Sequence, residues 1–365
     1  MKKLFLRIGI QLIIFFVLLE LGLMGTTSLG LIQIGKPQYN FQIIEHFWND
    51  SDSTFGVWRK PYHEYMHITS CFNINYKANS IGARDIEREL NSSRKRVIVI
   101  GDSFTEGWGV EIKDRFSNQL ENISQLEFIN MGVSRFGLTQ EYLLYKNKAK
   151  KYDHDAILWA LFPENDVIDD DLSYMTSIHK NQYKPFWKGE YPNYKLVYGP
   201  DAYKEGMQSM GSLGGWKGIL KNFTYTYHFY RYIKLRYIGY TVFQRESHLG
   251  KSGHFRLSNE QWNRIKYNIE KLLIESKGKQ VNIITIPSKY DIVKYKKEQL
   301  DVPLRDSLDV LSAQLGFSYY DLLKEFKKDD LLNQQELYFD CDDHWNVEGH
   351  KWAAKVIDSV FSFKK

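Results

Sequence analysis

The chain has 365 residues, 43% of them hydrophobic and 25% charged, with a net charge of +5. That is enough chain for one large domain or two ordinary ones, and the mix excludes both a disordered chain and a polytopic membrane protein. The positive charge is spread thinly with no basic block, so no nucleic-acid partner is expected, because such binders concentrate their charge on one face.

The N-terminus carries the first signal. Lys2, Lys3 and Arg7 precede an apolar run from Ile8 to Met24, interrupted by Gln11 and Glu20. The run is longer than a signal-peptide core and close to what a helix needs to cross a bilayer. The basic residues favour a cytoplasmic N-terminus, which sends the rest of the chain outside. Glu20 is costly at mid-bilayer but falls near the outer end of the run. Gly25-Thr26-Thr27-Ser28 offers a weak cleavage region, so a removed signal segment, and hence a secreted protein, is the alternative to an anchor. Residues 1–25 are therefore read as anchor or signal segment, and 26–93 as a lead-in packing on a main domain over 94–365. Cys71 and Cys341 make neither a disulfide scaffold nor a zinc site. In an oxidising compartment they can pair with each other, and two unpaired cysteines are the alternative.

From Arg94 onward strands and helices alternate. Val97-Ile98-Val99-Ile100 is a short, wholly apolar run ending at Gly101, the pattern of a buried parallel strand. Further strands are expected at Leu126–Asn130, Ala156–Phe162, Val281–Ile286 and Phe317–Tyr320. Between them Ser258-Asn259-Glu260-Gln261 forms a capping box. Behind it Trp262, Ile265, Ile269 and Leu272 share one helix face. Leu304, Leu308, Leu311 and Leu315 form a second stripe, closed by Gly316. Trp352, Val356, Ile357, Val360 and Phe361 mark a last helix. Such alternation predicts an α/β fold, a parallel sheet covered on both faces. Functional residues then belong at the carboxyl ends of the strands. Residues 170–255 break the alternation. They hold Tyr174, Tyr183, Phe186, Trp187, Tyr191, Tyr194, Tyr198 and the stretch Gly211-Ser212-Leu213-Gly214-Gly215, and read as an insertion, either a small aromatic core or a wall beside the site.

Four loops carry residues suited to chemistry. Gly101-Asp102-Ser103-Phe104-Thr105 follows the first strand, where a glycine permits a sharp turn and a serine is offered as nucleophile. Asn130-Met131-Gly132-Val133-Ser134-Arg135-Phe136-Gly137 follows the second, with backbone N–H groups available to an oxyanion. Phe162-Pro163-Glu164-Asn165-Asp166 follows the third, where the Asn165 amide can donate to the same charge. Asp340-Cys341-Asp342-Asp343-His344-Trp345-Asn346 precedes the last helix. It combines a histidine able to take the serine proton with carboxylates able to hold its other nitrogen.

In this order the loops resemble the blocks of the SGNH (GDSL-type) hydrolase superfamily, from about Asn79 to the C-terminus. The closest stretch runs from Arg96 to Thr105 and on through Gly107-Trp108-Gly109-Val110. The resemblance implies a flavodoxin-like three-layer sandwich, with Ser103 as nucleophile and oxyanion donor, Asn165 as a second donor and His344 as base, and with neither metal nor other cofactor. Two positions depart from the pattern. Arg135 stands where the second block has glycine, and Pro163 stands where many relatives have glycine. The commonest family pattern has its acid three residues before the histidine, where this chain has Cys341. A His-Trp-Asn subset, which includes periplasmic alginate O-acetyltransferase-like proteins, places it two before, which selects Asp342 over Asp340 and Asp343. A disulfide between Cys71 and Cys341 would pin the lead-in beside this loop.

The resemblance implies acyl-ester chemistry, with an acylated carbohydrate or a small ester as substrate, and the N-terminal segment places it outside the cytoplasm. An esterase is expected first. The alternatives are an O-acetyltransferase modifying a cell-surface or exported polysaccharide, served by a membrane-bound acyl-donor protein, and a non-catalytic glycan-binding scaffold.

Overall fold

The computed structural model describes residues 2–32, 34–37, 39, 47–48, 50–69, 71–178, 182–204, 216–234, 253–298, 301–326, 334–340, 342–361 and 363. The chain divides into two compact units, one comprising 1–45, 67–73 and 209–249, the other 46–66, 74–208 and 250–365.

The larger unit is built on five parallel strands, numbered here in chain order: β1 (Arg96–Gly101), β2 (Glu127–Asn130), β3 (Ala156–Leu161), β4 (Gln280–Thr285) and β5 (Ser318–Asp321). Their order across the sheet is β2-β1-β3-β4-β5. This is the flavodoxin-like order, in which the direction of winding reverses between β1 and β3 and leaves a crevice at their carboxyl ends. The five predicted strands all form, with ends displaced by a residue or two, and the fold class is the expected α/β sandwich.

Every residue of β1 and β3 is buried, which explains why both read as unbroken apolar runs rather than alternating ones. Successive side chains still go to opposite faces. Ile98, Ile100, Ile157 and Trp159 join one core with the helices Leu138–Asn147, Asn259–Ser276 and Pro303–Leu315. Val97, Val99, Leu158 and Ala160 join the other with the helices Phe116–Ser124, Lys289–Glu298 and Val347–Val360. Burying each such aliphatic side chain stabilises by roughly 1.5–3 kcal/mol. The capping box forms as its sequence predicts. Ser258 Oγ accepts from the Gln261 N–H at 3.2 Å and Gln261 Oε1 accepts from the Ser258 N–H at 2.9 Å. Gly316, at φ +76°, closes Pro303–Leu315 in the left-handed conformation.

The atypical segment has two parts. Its first part folds in the larger unit as an antiparallel hairpin, Tyr183–Lys188 with Lys195–Pro200. The hairpin aromatics pack on the helix Asn259–Ser276: the Trp187 indole N–H donates to Asn268 Oδ1 at 2.9 Å, the Tyr191 hydroxyl donates to Glu270, and Tyr194 lies edge-on to Tyr267. The stretch Gly211–Gly215 lies outside the described residues.

The smaller unit holds the helix Lys2–Ser28 together with a short helix, Trp216–Phe223, and a helix running from 225 to 234. Lys2–Ser28 is long and apolar enough to cross a membrane. Leu23, Ile34 and Tyr225 form the small buried core of this unit, flanked by Leu19, Ile32, Phe229 and Tyr232. Cys71 is disulfide-bonded, while Cys341 lies outside the described residues.

Candidate active site

The turn after β1 is dictated by Gly101. Its φ is +154°, and a Cβ there would sit 2.2 Å from Thr105 Oγ1 and 2.6 Å from the Ala160 carbonyl. Only glycine fits this position. The chain reverses into the one-turn helix Ser103–Glu106, capped by Asp102, whose Oδ1 accepts the Phe104 N–H at 2.9 Å. Ser103 thus opens a helix at the carboxyl end of β1, beside the β1–β3 crevice.

The loop before the last helix brings His344 to this serine. His344 Nε2 lies 2.7 Å from Ser103 Oγ, and its Nδ1 is hydrogen-bonded to Asp342 Oδ1. Asp342 also accepts the His344 backbone N–H at 3.1 Å and the Trp108 indole N–H at 3.2 Å. Burial pushes the Asp342 carboxyl up, but its bonds to His344 and Trp108 outweigh this and hold it below the usual carboxylate range. Of the three acidic candidates only Asp342 touches the imidazole. Asp340 is exposed, and Asp343 is 81% exposed with its carboxylate 3.6 Å from Lys289 Nζ. The ring of His344 packs between Trp108, stacked at 5.3 Å and 27°, and Phe104 at 5.0 Å. The loop itself is pinned from below. Lys289 donates to the Phe339 and Asp342 carbonyls, Tyr338 and Trp345 form an antiparallel bridge, and Asn346 caps the last helix through the Gly349 N–H.

The other two loops converge on the serine from β2 and β3. Pro163 occupies the first turn of the helix Pro163–Asp169, where its missing N–H costs nothing. The departure at Pro163 is therefore compatible with the fold. Asn165 follows on this helix, and its amide nitrogen donates to Asp102 Oδ2 at 3.1 Å. The same Asp102 oxygen lies 3.2 Å from Ser103 Oγ. Burial raises the Asp102 carboxyl to about 6, opposed by the Phe104 N–H, the neighbouring His344 and the amide of Asn165. Arg135 adopts φ +71°, the left-handed conformation that the missing glycine would take without strain. Its neighbours hold it there. Glu106 accepts from the Ser134 N–H at 2.9 Å and from the Ser134 hydroxyl, and it pairs with the buried Arg59. Arg59 also donates to the Gly132 carbonyl. At Gly132 a Cβ would stand 2.3 Å from the Glu106 nitrogen, so this loop and the serine helix touch backbone to backbone.

Sequence reasoning missed several of these groups. Trp108 stands in the first block, but its place there does not mark it as a partner of Asp342. The Glu106–Arg59 pair, with the Trp48 indole N–H donating to Glu106 at 2.9 Å, was not found. Nor were Lys289, or the buried carboxyls Glu141 and Asp166, which burial holds well above the ordinary range. Trp108 alone left a usable signal, five residues past the serine. Among the described residues, no group of three or more His, Cys, Asp or Glu side chains is arranged to hold a metal ion.

No protein-family model matches the chain, and no curated protein matches it. Solved structures do. A member of the lipolytic protein G-D-S-L family from Veillonella parvula is 14% identical, covering 73% of this chain and 98% of its own, with a TM-score of 0.37. A catalytic variant of an acetylxylan esterase from Geobacillus stearothermophilus is 12% identical, covering 76% and 99%, with a TM-score of 0.41. The acetyl xylan esterase AlAXEase is 13% identical, covering 73% and 100%, also at 0.41. Likenesses this distant assign no reaction, and the case for the site rests on its geometry. G-D-S-L lipolytic proteins, the family that the four loops of this chain resemble, stand among its structural neighbours.

Proposed function

We propose that the chain is an SGNH-type serine acyl-ester hydrolase, held to a membrane by its N-terminal helix with its catalytic unit outside the cytoplasm, and acting on an acylated glycan. The observation that carries the reaction is the continuous hydrogen-bonded line Ser103 Oγ, His344, Asp342. His344 Nε2, the nearer acceptor to Ser103 Oγ, takes the hydroxyl proton as the oxygen attacks the ester carbonyl. Asp342 keeps the other ring nitrogen protonated and faces the imidazolium that forms. The Ser103 N–H, the N–H groups around Arg135 and the second amide hydrogen of Asn165 stabilise the oxyanion. His344 then returns its proton to the leaving alcohol, leaving an acyl-serine. Water, activated by the same imidazole, completes the hydrolysis.

A second reading is favoured by one feature. The acid against His344 lies two residues upstream in a His-Trp-Asn loop, the arrangement of the O-acetyltransferase-like subset. In that reading a sugar hydroxyl, not water, takes the acyl group, and a membrane-bound donor protein supplies it.

A fluorophosphonate probe on the full chain tests the mechanism. Labelling is expected on Ser103 and lost in Ser103→Ala, with His344→Ala reducing it steeply. An unlabelled wild-type chain points instead to a non-catalytic scaffold. Mass analysis of bare oligosaccharide incubated with p-nitrophenyl acetate then separates the two readings, because only a transferase replaces a sugar hydroxyl hydrogen with acetyl, a net gain of about 42 Da.

A further inference from the structure

We propose that residues 216–234 form a membrane-interface element, an aromatic and basic surface resting in the headgroup layer of the bilayer that the N-terminal helix spans. The inference rests on the anchor reading and adds to it a second contact with lipid.

The segment Trp216 to Lys234 contains seven aromatic residues, Lys217, Lys221, Arg231 and Lys234, and no Asp or Glu. Its exposed side chains combine both kinds. Trp216, Ile219, Tyr230 and Ile233 are 67%, 54%, 58% and 49% exposed, and all four cations are exposed beside them. Side chains of this kind partition to the bilayer interface, where rings reach into the acyl boundary and cations meet lipid phosphates.

What places the segment at the membrane is Glu20. This carboxylate interrupts an otherwise apolar face, and its two oxygens accept the backbone N–H groups of Tyr225 and Thr226 at 2.7 and 2.8 Å. Those are first-turn donors of the helix from 225 to 234, the positive end of its dipole. The pairing satisfies a charge that is costly inside a bilayer. It also ties the start of that helix to one level of the N-terminal helix. From Leu4 to Glu20 that helix rises about 24 Å, against a hydrocarbon core about 30 Å thick. Glu20, and the helix start hung on it, therefore lie near the outer boundary of the hydrocarbon. Below that level the N-terminal helix presents exposed apolar side chains from Leu4 to Leu18, while Leu19 and Leu23 flank Glu20 in the small core with Tyr225.

The full chain, reconstituted in phosphatidylcholine vesicles containing phosphatidylglycerol, tests this with an environment-sensitive fluorophore on Ile14→Cys, Ile219→Cys or Ile233→Cys. The parent chain carried through labelling supplies the background from its own cysteines. Quenchers are lipids with a nitroxide shallow or deep on the acyl chain, and iodide in water. The label at 14 is expected to be quenched at least twofold more by the deep nitroxide. Labels at 219 and 233 are expected to be quenched at least twofold more by the shallow one. Replacing the four cations together (Lys217→Gln, Lys221→Gln, Arg231→Gln, Lys234→Gln) is expected to weaken shallow quenching at 219 and 233 and leave that at 14 unchanged. If 14 reports the deep bilayer while 219 and 233 are open to iodide, the segment faces water and the proposal is wrong. If those two labels are shielded from lipid and iodide alike, a protein covers the segment and the proposal is equally wrong. If 14 itself meets no lipid, the anchor reading falls first and takes this one with it.

Discussion

Replacing Trp108 with phenylalanine isolates one hydrogen bond of the site. The indole N–H donates to Asp342 Oδ2 at 3.2 Å, while the ring stacks on His344, and a phenyl ring keeps most of the stack but none of the donor. A hydrogen bond to a charged group is worth about 1.5–3 kcal/mol. The length of this one and the 24% exposure of Asp342 argue for the bottom of that range. At 1.36 kcal/mol per decade, kcat should fall about tenfold with KM little changed. The acid limb of the pH profile should also move. Asp342 is held below its usual range, so its support of the imidazolium is present at neutral pH and lost as pH falls through its own titration. Removing a donor that lowers it makes the loss begin at higher pH. The assay is p-nitrophenyl acetate turnover by the full chain in detergent from about pH 3 to 9. A rate within twofold of wild type with an unmoved acid limb would refute a role for the indole N–H. A loss as complete as that of Ser103→Ala would exceed what one hydrogen bond supplies and would equally refute the magnitude.

Three further outcomes are expected. Asp102 is raised from its ordinary 3.8 to about 6, so its own contribution to stability is full below 3.8 and is lost as pH rises to 6. Asp102→Asn removes that decline, worth on the order of 3 kcal/mol, and its melting temperature should rise relative to that of the wild type as pH goes from 3.8 to 6 and hold its lead above that. Glu106→Gln leaves the buried Arg59 guanidinium without its ionic partner, which should cost about 3–5 kcal/mol and lower the melting temperature by roughly 10 °C. Combining it with Arg59→Met should recover part of the loss, and failure to do so would count against unpaired charge as the cause. Intact-mass analysis with a thiol-reactive reagent, with and without reductant, checks the expected pairing of Cys71 with Cys341: two alkylation sites should open only after reduction.

The elements of the larger unit were readable because they are written in local periodicity. The apolar runs at Val97–Ile100 and Ala156–Leu161 announce strands buried on both faces. The Ser258 box and the Gly316 stop mark helix ends with their own hydrogen bonds. The four loops were readable for a related reason. In a parallel sheet, side chains at strand carboxyl ends share one crevice, so residues from separate loops converge there without further instruction.

Other features depend on contacts that leave no periodic trace. Three aspartates within four positions were equivalent as sequence, and backbone bridging at Tyr338 and Trp345, with Lys289 beneath, turns Asp342 alone toward the imidazole. Trp48, Arg59, Glu106 and Ser134 meet across as many as 86 positions between Trp48 and Ser134, and their pairing sets the loop that carries Arg135. The same holds for the aromatic segment, which read as one insertion. Its hairpin belongs with the helix Asn259–Ser276, and its residues 216–234 group with the N-terminal helix through Glu20. The sequence by itself determined the sheet, its helices and the residue types at its active edge, because propensity, capping and burial act over a few neighbouring positions. Tertiary structure decided which carboxylate serves which donor, because a buried charge takes its partner from whatever the folded chain brings within hydrogen-bonding reach.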